Sequence, residues 1–519
     1  MNVPRHAPGS TDGARTIGHV ASPALDVDRV PSPPTLDWMG ALSEHYSRAR
    51  RDGRSAELCV VFDIDGTILD VRHLVVHALL TYDRRHGTGV FHGLVADDIT
   101  HHEDHVERLL ESLDVPRQIR SDVTRHYKAH LWDRETVLAA SRPFEGVLSV
   151  IRWFQLQPST VVALNTGRPE TMREETLDSL NALGSSFRVR FDPALLYMRS
   201  SEDPVPEGKR AAIEDLKRRG KRIVAVVDNE PENLRAMAEA DLEGTILFLH
   251  ADTIFESQRS VGARLVTGRS YGLGRLVPER TLTPRVAFVW HGLNDDENLQ
   301  RFLASDVRWG EIDVRRDPLD RLVLRHDGFD ETPWRRDERT LLAETAVRAM
   351  SEAGRSIKFD LKEGGETLAR VLELVDRTGV AGDRLWFNAD LPTLGRAAFV
   401  ALRERYPRAT IACPVDFVMP LLLADRDAAD RVLDLLAVSG ITRLSLRWTP
   451  EVRGVLEDLE VRGWEVNLYG VPDLEAFLEA SLLLPTSVTA DFNFPEWRYF
   501  GRGSGQGRPA LATTGSRAP

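Results

Sequence analysis

Three apolar runs that each end in polar or acidic residues constrain this chain most. Leu58-Cys-Val-Val-Phe62 leads into Asp63-Ile-Asp65-Gly-Thr67. Val161-Val-Ala-Leu164 leads into Asn165-Thr166-Gly-Arg-Pro169, and Ile223-Val-Ala-Val-Val227 into Asp228-Asn-Glu-Pro-Glu232. Runs without polar alternation are buried on both faces, and helical patterns separate them, so a parallel α/β sheet is predicted. A fourth strand is expected at 245–249. Ligands of such sheets lie beyond the carboxyl ends of the strands, where Asp63, Asp65, Thr166 and Asp228 all fall. Carboxylates gathered at one edge repel unless a cation neutralises them, and hard oxygen donors favour Mg²⁺.

The α/β alternation restarts beyond a Gly- and Pro-containing stretch at 269–284. Strands are expected at 286–290, 310–314, 357–361, 385–389, 410–414, 442–447, 465–469 and 487–491. Eight strands with helices between them predict a (β/α)8 barrel. The expected organisation is a mostly disordered tail over 1–54 with a short helix at 36–52, then a first α/β domain over 55–268. A linker over 269–284, a barrel over 285–500 and a second tail over 501–519 complete the chain. The segment 71–140, rich in histidine and helical in period, is an insertion within the first domain.

At 519 residues the chain exceeds one ordinary core, and 42% hydrophobic with 28% charged residues fits a globular protein. A formal charge of -12 argues against nucleic acid or anionic membrane as a partner. No apolar stretch reaches the length of a membrane span. Cys59 and Cys413 both sit in apolar runs and read as buried reduced thiols, which points to the cytoplasm. Only six basic residues are lysine: Lys128, Lys209, Lys217, Lys221, Lys358 and Lys362. Where this chain uses lysine instead of arginine, a chemical reason is to be sought.

The first-half motifs resemble those of haloacid-dehalogenase-like (HAD) hydrolases, with a Rossmann-like parallel sheet and a helical cap. Asp63-Ile-Asp-Gly-Thr67 is similar to their first motif, Thr166 to the second, Lys209 to the third and Asp228-Asn-Glu-Pro-Glu232 to the fourth. The resemblance implies that Asp63 attacks phosphorus, forming an aspartyl-phosphate, while Asp65 serves as acid and then as base. Thr166 and Lys209 would hold the phosphoryl group. Mg²⁺ would be bound by Asp63, Asp65 through its carbonyl, and Asp228. Glu232 fits the spacing of a further acidic ligand, and Glu230 competes with it. An acid at position 65 favours phosphomonoesters over halides. The insertion at 71–140 corresponds to a cap, which implies a small phosphorylated substrate. Its histidines read mainly as a solvated helical surface.

In the second half, polar residues recur at strand ends where a barrel interior is normally aliphatic. They are His291, Glu311-Ile-Asp313, His326-Asp327, Lys358-Phe-Asp360-Leu-Lys362, Asn388-Ala-Asp390, Arg447, Asn467 and Asp491. The pattern resembles glycerophosphodiester phosphodiesterases of the phospholipase-C-like superfamily and, more closely, the menorin family. The resemblance implies phosphodiester cleavage with His291 and His326 as base and acid. A divalent cation, Ca²⁺ or Mg²⁺, would sit on Glu311 and Asp313, and Lys358 would steady phosphate. Gly292 departs from the phosphodiesterase pattern, which has arginine there. Three functions remain open: two sequential activities on a small phosphodiester, a phosphatase fused to a barrel that only binds a phosphorylated ligand, and a phosphotransferase.

Overall fold

In the computed structural model, the described residues are 37–52, 56–200, 204–254, 265–277, 282, 285–334 and 338–490. The two tails, apart from the helix, and Asp491 lie outside them. The first sheet holds six parallel strands: β1 (Leu58–Phe62), β2 (Thr160–Pro169), β3 (Leu196–Arg199), β4 (Arg222–Asp228), β5 (Leu247–Ala251) and β6 (Val266–Gly268). Their order is β3-β2-β1-β4-β5-β6. β1 is buried at every position and lies between β2 and β4. Strand order reverses there, so the ends of β1, β2 and β4 form the crevice that binds ligands in such sheets.

Helix α1 (Trp38–Arg51) starts at Asp37, whose side chain caps Met39 N, and ends in Arg48, Arg50 and Arg51, which suit the negative end of its dipole. Its Trp38 is buried and donates from Nε1 to Ser270 O at 2.6 Å. Gly268 on β6 is what admits that ring, since a Cβ there would meet Trp38 Cγ at 2.1 Å. Gly268→Ala should therefore cost about 1–3 kcal/mol by overpacking. Its urea midpoint should fall, whereas Gly454→Ala, facing open space in helix Val452–Val461, should not lower it.

Between β1 and β2 the chain builds α2 (Arg72–His86), α3 (Val106–Ser112), α4 (Arg117–His130) and α5 (Arg134–Ala140). They close on their own core, including Leu74, Leu79, Leu109, Leu110, Val123, Tyr127 and Val137. Entry and exit are tied together: Asp70 N donates to Arg142 O at 2.9 Å, and Phe144 N to Ile68 O at 2.9 Å. The insertion is thus a separate cap on two adjacent strands of chain. Next come α6 (Val147–Gln155), α7 (Arg173–Ser185), α8 (Val205–Arg218), α9 (Pro231–Glu239) and α10 (Leu273–Leu276).

The second sheet closes on itself. Its parallel strands are β7 (Ala287–Trp290), β8 (Trp309–Arg316), β11 (Ser356–Leu361), β12 (Leu385–Asn388), β13 (Thr410–Pro414), β14 (Arg443–Arg447), β15 (Glu465–Val471) and β16 (Ser487–Ala490). β16 pairs with β7, and β7 with β8, completing an eight-stranded barrel. Two further strands, β9 (Leu322–Leu324), the short strand expected just before Arg325, and β10 (Leu341–Leu342), extend β8 outward as antiparallel partners. Inside the barrel Val289, Trp386 and Ala412 form a small apolar plug, with Trp309 against it.

Of the 269–284 stretch, residues 269–277 are built into the molecule. Leu273 and Leu276 of α10 are buried, and Glu475 of helix Leu474–Leu482 accepts from Leu273 N (2.7 Å) and Gly274 N (2.8 Å). Beside it, Ser149 on α6 donates to Glu479 at 3.3 Å and Arg152 to Leu482 O at 3.2 Å. Residue numbers rise together along these contacts, so the two helices run in the same direction. Each descends from the carboxyl edge of its own sheet, one toward β2 and the other toward β16.

Candidate active site

At the end of β1, Asp63 is buried beside Lys209 of α8 and Asp228 of β4. Lys209 Nζ donates to Asp63 Oδ1 at 2.7 Å and to Asp228 Oδ2 at 2.5 Å. All three side chains are at most 5% exposed, so this ammonium is the counter-charge that permits two buried carboxylates. Burial still pushes the Asp63 carboxyl up to about 7, with Asp228 and Asp65 adding repulsion against the pull of Lys209. Burial works against the Lys209 charge, but Asp228 and Asp63 outweigh it and hold its pKa above the usual lysine value. Thr67 Oγ1 donates to Asp63 Oδ2 at 3.2 Å. Thr166, buried at the end of β2, accepts from Arg168 N at 3.2 Å.

Asn229, adjacent to Asp228, faces the same place. Gly66, at φ +77°, lets its amide approach to 2.3 Å from where a Cβ would stand. The Asn229 amide NH₂ donates to Asp63 Oδ2 at 3.3 Å and to Asp65 O at 3.1 Å. The oxygen donors of Asp63, Asp228 and the Asp65 carbonyl suit a small hard cation. No cluster of three His, Cys, Asp or Glu side chains suited to a metal exists among the described residues. The carbonyl of Asp65 is what a count of acids overlooks. Glu232 is exposed on the first turn of α9, and half-buried Glu230 lies 4.0 Å from cap residue His102.

Asp65 is engaged by a residue the sequence reading passed over. Arg168 donates from Nε to Asp65 Oδ2 and from Nη2 to Oδ1, each at 2.7 Å. The signal lay within the second motif, two residues after Thr166. From the cap, Glu103 approaches Asp65 and Glu230. Burial, reinforced by Asp65, Asp104 and Glu230, pushes its carboxyl up to about 8. A raised acid favours its neutral form in the fold, so its stabilisation is complete below the ordinary glutamate pKa of about 4.3 and is lost as pH rises through about 8. Glu103→Gln should match the parent in thermal midpoint at low pH and exceed it by pH 9, by on the order of 5 kcal/mol at most. A gap that stays constant from pH 5 to 9 would sink this account.

In the barrel, strand register pairs the charges. Glu311 stands opposite Lys358 and Asp313 opposite Asp360. Lys358 Nζ lies 2.9 Å from Glu311 Oε1, while Lys362 Nζ lies 3.0 Å from Asp313 Oδ1 and 2.5 Å from Asp360 Oδ2. Lys358 also sits 4.7 Å from the Trp386 ring centroid and donates to Thr489 at 3.3 Å. Burial raises the Glu311 pKa despite Lys358. Glu311 Oε2 accepts no hydrogen bond among the described residues, and His291 Nε2 is 3.8 Å from it. Three carboxylates against two ammonium groups leave one negative charge, and that open oxygen fits a single hard cation. Asn388 donates to Asp360 at 2.9 Å and Asn294 to Asp313 at 2.6 Å. Asn294 thus joins the residues named from sequence, Asp360 and Lys362 among them. The contacts do not bring His326 into this network: its ring is largely exposed and meets Asp327 at 2.9 Å.

Residues 58–241 match the family model described as haloacid dehalogenase-like hydrolase. No curated protein matches the chain. Among solved structures, the chain is similar to a glycerophosphodiester phosphodiesterase from Parabacteroides distasonis (15% identity, 40% of this chain and 93% of that one, TM-score 0.31). It is also similar to a phosphodiesterase from Oleispira antarctica in complex with the product sn-glycerol-3-phosphate (16%, 40% and 95%, TM-score 0.30). A third is a haloacid dehalogenase-like family hydrolase from Streptococcus pneumoniae (13%, 42% and 96%, TM-score 0.28).

Proposed function

We propose, from the haloacid dehalogenase-like hydrolase match over residues 58–241, that the first domain is a phosphomonoesterase for a small substrate and that Asp63 is its nucleophile. The observation that carries this reading is the buried Asp63–Lys209–Asp228 group at the β1 and β4 ends, with Asp65 two residues on. Asp63 attacks phosphorus and forms an aspartyl-phosphate as the ester oxygen leaves. Asp65 gives a proton to that oxygen and later takes one from the attacking water. Thr166 and Lys209 hold phosphoryl oxygens. Asp63, Asp228 and the Asp65 carbonyl would hold Mg²⁺, with Asn229 beside them. When bound, Mg²⁺ supplies positive charge against the carboxylates and the transferring phosphoryl group.

The barrel, on this proposal, cleaves a small phosphodiester and supplies the monoester, with His291 as base and Glu311 and Asp313 beside a divalent cation. A second reading has its own support: Lys358 and Lys362 already neutralise two of the three barrel carboxylates. That suits a barrel that binds a phosphorylated ligand without turnover. Assaying His291→Ala on a generic diester and a generic monoester decides between them. Sequential action requires diester cleavage in the parent, its loss in the variant, and retained monoester hydrolysis. No diester cleavage by the parent with Mg²⁺, Mn²⁺ or Ca²⁺ would leave the binding barrel.

A further inference from the structure

Arg168 is 4% exposed, and its side chain is fully engaged. Two guanidinium nitrogens form the fork on both Asp65 oxygens, and Nη1 donates to Thr176 Oγ1 at 3.2 Å, at the start of α7. Its Cζ lies 5.2 Å from the ring centroid of Trp132, which belongs to the cap between α4 and α5. A planar fork fixes the plane and rotamer of a carboxylate in a way that a point charge cannot. One side chain therefore touches the residue proposed as acid and base, the sheet domain through Thr176, and the cap through Trp132.

We infer that Arg168 is the positioning residue for Asp65 and that it couples the seating of the cap, through Trp132, to the placement of that carboxyl group. This inference rests on the phosphatase reading above. As the Asp63–phosphorus bond forms, the bond from phosphorus to the ester oxygen breaks and its electron pair stays on that oxygen. The proton of Asp65 moves to it. In the second half-reaction water attacks phosphorus, its proton passes to the Asp65 carboxylate, and the Asp63–phosphorus bond breaks to release phosphate. Between the two half-reactions Asp65, having given up its proton, is the carboxylate that the fork holds and that accepts the proton from water. For donation, one of its oxygens must leave the fork.

The dependence on Asp65 gives a readout that a merely structural role would not move. An alkyl leaving group needs a proton, whereas p-nitrophenolate leaves without one. Single-turnover phosphoryl transfer is measured with glycerol 2-phosphate and with p-nitrophenyl phosphate. Arg168→Met should slow the alkyl ester about 100-fold, in the range of general acid catalysis, and the nitrophenyl ester no more than about threefold. Trp132→Leu should show the same preference with a loss of roughly tenfold on the alkyl ester. In an Asp65→Ala background, Arg168→Met should have almost no further effect, because its partner is already gone. If Arg168→Met does not fold, Thr176→Val keeps the guanidinium and loosens only its support, and the same two esters are compared. Equal losses on both esters, or a full effect without Asp65, overturn the inference. Failure of the parent protein to hydrolyse either ester, or an active Asp63→Asn variant, overturns the phosphatase reading instead.

Discussion

Asp63→Asn should abolish phosphomonoester hydrolysis, with turnover falling by about 10³-fold or more, the scale seen when a nucleophile is removed. The change keeps the volume and the contact with Thr67 while removing the oxygen that would bond to phosphorus. It should not unfold the protein. The Asp63 carboxyl is pushed up to about 7 by burial, so the folded state holds a proton there that the unfolded chain releases near the ordinary aspartate pKa of about 3.9. Stability from this group is full below that value and is lost as pH rises through about 7. Above pH 7 the neutral amide should be no less stable than the parent, even with Lys209 left to Asp228 alone. Measuring activity and thermal midpoint together at pH 8 separates the two effects. Retained hydrolysis in a folded variant would remove Asp63 from the chemistry.

Lys358→Met should destabilise the barrel by about 3–5 kcal/mol, the cost of breaking a buried ion pair from one side. Lys358 and Glu311 are 3% and 4% exposed at the side chain, and the ring of Trp386 covers the ammonium. Methionine fills most of the space but leaves Glu311 with a buried charge. Burial already raises the Glu311 pKa, and losing Lys358 raises it further. Its stabilising neutral form is complete below the ordinary glutamate value and is lost as pH rises through the elevated one, so the penalty should grow toward high pH. Replacing both partners, Lys358→Met with Glu311→Leu, should recover much of the loss. Denaturant titrations of the two single variants and the double variant at pH 5 and pH 8 test this. An additive cycle would show that the pair does not couple.

The strands of both sheets that carry polar ends were legible because fully buried parallel strands leave continuous apolar runs. All eight barrel strands fall where alternation of strand and helix put them. β3 and β6 were not legible: one is a half-buried edge strand and the other has only three residues. The 269–284 stretch read as a linker because two glycines and two prolines punctuate it, yet Leu273 and Leu276 are buried against a helix two hundred residues away.

The sequence by itself determined which residues stand at strand ends, because that depends only on local runs of apolar side chains and on the polar residues that terminate them. It placed Asp63, Asp65, Thr166 and Asp228 at one edge, and Glu311, Asp313 and Lys358 on neighbouring strands. Tertiary structure alone decided what each of them touches. Register put Lys358 against Glu311, and the approach of α8 put Lys209 between Asp63 and Asp228. The cap and the end of β2 together put Arg168 on Asp65, 103 positions away in sequence. Charge pairing acts over a few ångströms in space, and no periodicity along the chain encodes those distances.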